Sequence, residues 1–257
     1  MHNSEKFTKT ANLLLEISSL LMVSGANTNR INSSIDRFSS VLNFNVHSWI
    51  NQKTMIMTLT DKETNHSVTK VYNLPPHALN FQTLSEISKA SWTAKSENWN
   101  LEEIITEIER IKKLKKHPKL LVLIAVGLAV AGFCNIFQGD YLNMLVAFIS
   151  AFIGLFVAQQ VHKLQYNMYI RIFLAALMAS FIASIGIIFD IGKNPQTALA
   201  TSILFLVPGV ALINSFTDLL ENNVLNGVAR FAVGALTVLV MATALFVSMY
   251  IFSIKII

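Results

Sequence analysis

Apolar positions in the first part of this chain fall at helical spacing, then alternate, then return to helical spacing. Over residues 8–22 they recur at Leu13, Leu14, Ile17, Leu20 and Leu21, and over 29–42 at Ile31, Ile35, Phe38 and Leu42. This is the spacing of one face of an α-helix. Between the two lies "VSGANTNR", where Gly25 is suited to end one helix and Thr28 to cap the next, so a helical hairpin is predicted. The runs "NVHSWI", "KTMIMTLT" and "HSVTKVYNL" are rich in β-branched and aromatic residues and are separated by Asn-Gln and "DKETN". They predict a three-stranded antiparallel meander, stopped by Pro75-Pro76. Helical spacing resumes over 79–92 and 101–114. The latter has Glu102, Glu103, Glu107 and Glu109 early and basic residues from Arg110 onward, an order that matches the helix dipole. It is expected to run on into the segment that follows.

After residue 118 the pattern changes to long apolar runs over 120–137, 141–158, 170–189, 198–216 and 231–252. Each has about the 20 residues needed to cross some 30 Å of hydrocarbon as a helix. The predicted fold is an α-helical membrane protein with five transmembrane helices over 119–257. A cytosolic α+β domain over 1–118 precedes it, built of the hairpin, the meander and two further helices.

Charge separates the two parts. Of 257 residues, 20 are Lys or Arg and 15 Asp or Glu, and residues 1–118 hold 14 of the former and 11 of the latter. The net charge of +5 does not point to nucleic acid, because the densest basic cluster, Lys112, Lys113, Lys115, Lys116 and Lys119, abuts the first apolar run. Such a cluster marks the cytoplasmic side and attracts anionic lipid. With His162, Lys163, Arg171 and Arg230 in or beside the second and fourth loops, it places the N-terminus inside and the C-terminus outside. The first residues, with Glu16 among their apolar positions, do not read as a cleaved signal peptide. Cys134 is the only cysteine, so no internal disulfide and no cysteine metal cluster is expected.

The fourth apolar run, "TSILFLVPGVALINSFTDLL", is unlike the others. Pro208 removes a backbone donor and Gly209 loosens the chain, so the helix should bend or break there. In lipid, freed backbone groups are tolerated where they face protein or a water-filled cavity, and such places form substrate sites in secondary transporters. A simple kink for packing is the alternative. After the break, Asn214 and Ser215 lie four and three residues before Asp218 and share its side of the helix. A carboxylate within a membrane helix needs a partner or a cavity. Arg230, twelve residues on, is the opposite charge. The pair reads either as structural or as a clamp for the amine and carboxylate of a zwitterion.

Two further patterns carry packing. Ala147, Ala151, Gly154 and Ala158, and then Ala176, Ser180 and Ser184, form small-residue stripes that allow close helix approach, within the chain or between subunits. The six histidines show no metal-ligand spacing, and no GxSxG, phosphate loop or GxGxxG is present. No enzyme activity, cofactor or metal is expected.

Three stretches carry a family resemblance: "LLLEISSLLMVSGANTNRINSSI", "VTKVYNLPPHALNFQTLSEIS" and "FLVPGVALINSFTDLLENNVLNGVARF". Together they resemble the threonine/serine exporter family, in its larger N-terminal module. The resemblance implies a cytosolic domain followed by five helices in the bacterial plasma membrane, exporting amino acids on an ion gradient. It also implies a smaller membrane subunit of the same family, which in fused members lies in the same chain. By position, its proline-glycine break falls on Pro208 and Gly209, its acidic residue on Asp218, and its glycine and arginine on Gly227 and Arg230. The first soluble motif falls on Ser24, Gly25, Ala26 and Arg30, and the second includes Asn80. Asn27, and Asn32 with Ser33, stand where acidic residues are expected.

The function expected from these readings is a secondary exporter subunit for a small polar metabolite, threonine or serine first, with a succinate-type dicarboxylate as the alternative. In this reading Asp218 binds the amine or carries the coupling proton, and Arg230 pairs with a carboxylate. A non-transporting scaffold or regulatory subunit is the other class, and the small-residue stripes leave room for a homo-oligomer.

Overall fold

A computed structural model describes residues 2–76, 78–115 and 117–254, with the backbone alone for 2–6. His77, Lys116 and Lys255 therefore lie outside the described residues. The order is α1 (His2–Val23), α2 (Thr28–Val41), β1 (Phe44–Ile50), β2 (Thr54–Asp61), β3 (Ser67–Asn73), α3 (Phe81–Glu97) and α4 (Leu101–Lys112). Then come α5 (Lys119–Ile136), α6 (Tyr141–Lys163), α7 (Met168–Ile188), α8 (Pro195–Ser202), a 3-10 turn (Leu204–Leu206), α9 (Gly209–Leu220) and α10 (Val224–Ile251). The chain is mostly helical, with one three-stranded antiparallel sheet in the order β1-β2-β3.

Among the described residues four helices, α5, α6, α7 and α10, are long and apolar enough to cross a membrane. Pro195–Leu206 with Gly209–Leu220 makes a fifth if the bent pair is one span. Contacts divide the chain into two compact units: Met1–Lys115 with Val210–Ala232, and Lys116–Gly209 with Val233–Ile257.

In the first unit the period-two pattern of β2 buries Met55, Met57 and Leu59. These join Leu14, Ile17 and Leu21 of α1, Ile31, Ile35 and Phe38 of α2, Ile87 of α3 and Ile104 of α4 in one core. The hairpin turn is as expected at Gly25, whose φ of 100° is left-handed and favours glycine. The cap is not. Asn27 caps α2, its side-chain oxygen accepting from the Arg30 N–H at 2.8 Å, and Thr28 is the first helical residue. Asn27 has the extended backbone that swings a short polar side chain over the first turn. A second correction concerns α4. It ends at Lys112, and α5 begins at Lys119 behind Pro118, because a residue before proline is driven out of the α region.

In the second unit α6 packs on α5, α7 and α8. Ala147, Ala151 and Gly154 are buried along α6. A Cβ at Gly154 would lie 2.8 Å from Ala179 Cβ and 2.9 Å from the Ala175 carbonyl oxygen of α7. The small-residue stripe is thus a packing face within the chain. We expect Gly154→Val to cost about 1–3 kcal/mol through overpacking, read as a lowered unfolding temperature in detergent; unchanged unfolding would show that α7 can move aside. On α7, Ser180 donates to the Ala176 carbonyl, and the Ser184 hydroxyl meets that of Ser248 at 3.1 Å.

The loops before α6 and α8 are clasped together. Asp140 accepts from the Asn143 and Lys193 N–H groups at 2.9 and 3.0 Å, while fully buried Asn143 donates to the Ile191 carbonyl. The Asn143 N–H above all, with that of Lys193, holds the Asp140 carboxyl below its ordinary range. Its contribution to folding is therefore present above the unfolded carboxyl pKa and fades as pH falls through the depressed value.

Candidate functional site

Most of the residues singled out in the sequence converge within the first unit, around the turn at residues 24–28. A helix end leaves carbonyls without intrahelical partners, and the turn after α1 presents several. The Ser24 carbonyl accepts from the Asn80 N–H at 3.2 Å, the Gly25 carbonyl from Asn214 Nδ2 at 2.8 Å, and the Ala26 carbonyl from Arg230 Nη2 at 2.9 Å. All three sequence motifs meet there.

Asp218 sits opposite the start of α2. Its Oδ1 accepts from the Thr28 N–H at 2.9 Å. That N–H is the first of α2 and carries the positive end of the helix dipole, which favours an anion. Its Oδ2 lies 3.2 Å from Arg230 Nε. The approach is off the N–H direction, so this contact is an ion pair without a hydrogen bond. Asp218 is 0% exposed and Arg230 7%. Arg230 completes its set with Met22 Sδ at 3.2 Å. The expected meeting of the two charges is thus observed, but by a different route. Only residues 221–223 turn the chain, with Asn222 left-handed at φ 61°, and α10 starts at Val224, so Arg230 lies nearly two turns inside a helix.

Gly227 and Ser215 bring α9 and α10 together. The Ser215 hydroxyl donates to the Gly227 carbonyl at 2.8 Å, and a Cβ at Gly227 would fall 2.6 Å from Leu219 Cγ and 3.0 Å from the Ser215 carbonyl oxygen. Phe216 and Phe231 pack edge to face beside them. Asn226 was not singled out in the sequence. Its Nδ2 donates to Thr28 Oγ1 at 3.0 Å and to the Ile50 carbonyl at 2.9 Å, tying α10 to α2 and β1. The available signal was spacing: Asn226 and Arg230 are four apart and share a helix face. Asn29 adds an exposed bond to Glu221 at 2.9 Å.

The remaining expected residues make other contacts. Pro208 stands at the break and Gly209 opens α9, where an added Cβ would meet no described atom within 4 Å, so packing does not require the glycine. Arg30 points away, its Nε donating to Ser88 at 3.0 Å. Asn80 caps α3 through a bond from the Thr83 N–H at 3.1 Å. Asn80→Ala is expected to cost about 1 kcal/mol, the usual loss of a cap. Thermal unfolding checks this, since the Asn80 N–H bond to Ser24 survives the change. Among the described residues no group of three His, Cys, Asp or Glu could hold a metal ion.

Comparisons with known proteins bear on the family of the chain. Residues 12–252 match the family model described as "Putative threonine/serine exporter". The chain is 22% identical over 245 residues to the protein named "Probable succinate transporter subunit YjjP" of Escherichia coli K12, covering 92% of each chain. It is 22% identical over 184 residues to the protein of the same name from Klebsiella aerogenes, covering 71% of each. No solved structure matches the chain significantly.

Proposed function

The chain belongs to the threonine/serine exporter family, and on that premise we propose that it is one subunit of a secondary-active exporter of small carboxylate-bearing metabolites in the bacterial plasma membrane. The observation that carries this reading is the broken span, Pro195–Leu206 then Gly209–Leu220, ending in a buried carboxylate. Broken helices free backbone groups for polar ligands, and buried acids near them carry ions in transporters. Threonine or serine is the first substrate, from the family description, and a succinate-type dicarboxylate the alternative, from the relatives' names. The word subunit in those names supports a second, smaller membrane partner. The first unit faces the cytoplasm, on the basic flank of α5, and the C-terminus lies outside if the bent pair crosses once.

In this proposal Asp218 works as a latch. While charged it holds the Thr28 N–H and Arg230; a proton from the gradient removes the charge that both bind. Substrate and proton would then compete with the turn at residues 24–28 for the same groups.

A second reading, the scaffold or regulatory subunit, is favoured by one observation: Asn214, Asp218, Asn226 and Arg230 direct polar groups to residues 22–28 or to Ile50. Uptake of labelled threonine into proteoliposomes under an imposed proton gradient separates the two. It should be run with the chain alone and with the smaller subunit, with serine and succinate as competitors. Gradient-dependent uptake in either arrangement supports export, and the stronger competitor names the substrate. No uptake in both arrangements from folded protein overturns it and leaves the scaffold.

A further inference from the structure

The face of α2 that turns away from Asp218 carries a second constellation, which the transport reading leaves unused. Arg30 and Arg37 are seven residues apart, so they stand on one side of α2, two turns from each other. Both reach across to α3. Arg30 Nε donates to Ser88 Oγ at 3.0 Å and Arg37 Nη1 to Ser91 Oγ at 3.1 Å. Ser88 and Ser91 are three apart on α3, where side chains lie about 5–6 Å apart. Their serine partners are thus about one turn apart, whereas the arginines themselves are two turns apart along α2.

Among the described residues neither arginine has a carboxylate within ion-pair distance. Asp36, on the adjoining face of α2, interacts at longer range with His47 and, more weakly, with Arg37. Glu221 is bound to the outer side of Asn29. Arg37 is further fixed by stacking 3.8 Å over the ring of Trp92, leaving the fork only part of its freedom.

Between the helices is a cavity of about 280 Å³, lined by the two arginines, Trp92 and the neutral polar side chains of Asn27, Asn29, Ser33 and Ser88. Its size is at the lower end for small-molecule sites. It holds donors in excess, no acid, and two cations placed in advance.

We infer that this cleft between α2 and α3 binds a small dianion, a dicarboxylate or a phosphate compound, with one anionic group on each guanidinium. Planar guanidinium groups grip such oxygens two at a time, and their serine contacts leave other N–H donors of each fork available. The site is separate from the transport path and does not depend on it. It lies on the same helix whose first N–H binds Asp218.

The test is calorimetric titration of the full-length protein in detergent, at fixed ionic strength, with succinate and, separately, inorganic phosphate. One saturable site per chain is expected for at least one probe, and the probe that binds identifies the oxyanion. Arg30→Gln and Arg37→Gln should each weaken binding at least tenfold, while Lys53→Gln, at an exposed lysine in the connection between β1 and β2, should leave it unchanged. Arg30 is exposed, so its variant carries the test if loss of Arg37 unsettles the fold. No saturable binding of either probe overturns the site. So does equal heat from chloride, or undiminished affinity in the Arg30→Gln/Arg37→Gln protein. Because binding is read without transport, failure here leaves the exporter reading standing, and the reverse also holds.

Discussion

Arg230→Met should destabilise the folded chain by about 3–5 kcal/mol, the usual result of removing one partner of a buried ion pair. The methionine keeps the apolar stem but deletes the guanidinium. Asp218 is then buried with its charge opposed only by the Thr28 N–H, and the Ala26 carbonyl loses its donor. Thermal unfolding in detergent measures the loss. The double variant Asp218→Asn/Arg230→Met should recover much of it, because no isolated charge remains, and the non-additivity is the signature of the pair. If Arg230→Met unfolded at the wild-type temperature, the pair would not be holding the first unit together.

Asp218→Asn is expected to bring gradient-driven uptake down to that of empty liposomes. Asparagine has nearly the same volume and keeps an oxygen for the Thr28 N–H, so the change removes charge with little change of shape. Its cost in stability should be smaller than that of Arg230→Met, about 1–3 kcal/mol, because Arg230 still bonds the Ala26 carbonyl. The informative comparison is with the smaller subunit. Loss of uptake with intact co-purification places Asp218 in the transport cycle, while loss of both makes it an assembly residue. Normal uptake would remove it from the mechanism.

Much of the first unit was legible because each element follows a local rule. Leu13, Leu14, Ile17 and Leu21 at helical spacing lie in the core, as do Met55, Met57 and Leu59 at period two. The break at Pro208 was legible for the same reason, since proline acts on its own backbone. What failed were choices decided at a distance. Asn27 and Thr28 are both good caps by type, and the choice between them went with Thr28 Oγ1 accepting from Asn226, 198 residues away. Arg230 reads as a loop charge from composition, yet its carbonyl and carboxylate partners let it sit within α10. The convergence of the motifs on residues 24–28 was invisible, because those contacts use main-chain carbonyls that leave no trace in side-chain pattern. The arginines of the α2 cleft had a visible spacing, but their contacts with Ser88 and Ser91 follow only from the packing of α3.

The length of α10 bears on where the charges rest. Its 28 residues rise about 42 Å, whereas the hydrocarbon layer is about 30 Å deep. Residues 231–251 contain no charged side chain and by themselves span about 32 Å. The excess is the first two turns, which hold Asn226, Gly227 and Arg230. If the uncharged stretch fills the hydrocarbon, as the exporter proposal has it, the ion pair is expected at the headgroup boundary, where a carboxylate avoids the cost of mid-bilayer burial. Access to Asp218 is then governed by whether the turn at residues 24–28 covers it, so the relevant barrier is local undocking of a short protein segment and its rate, rather than the depth of the bilayer.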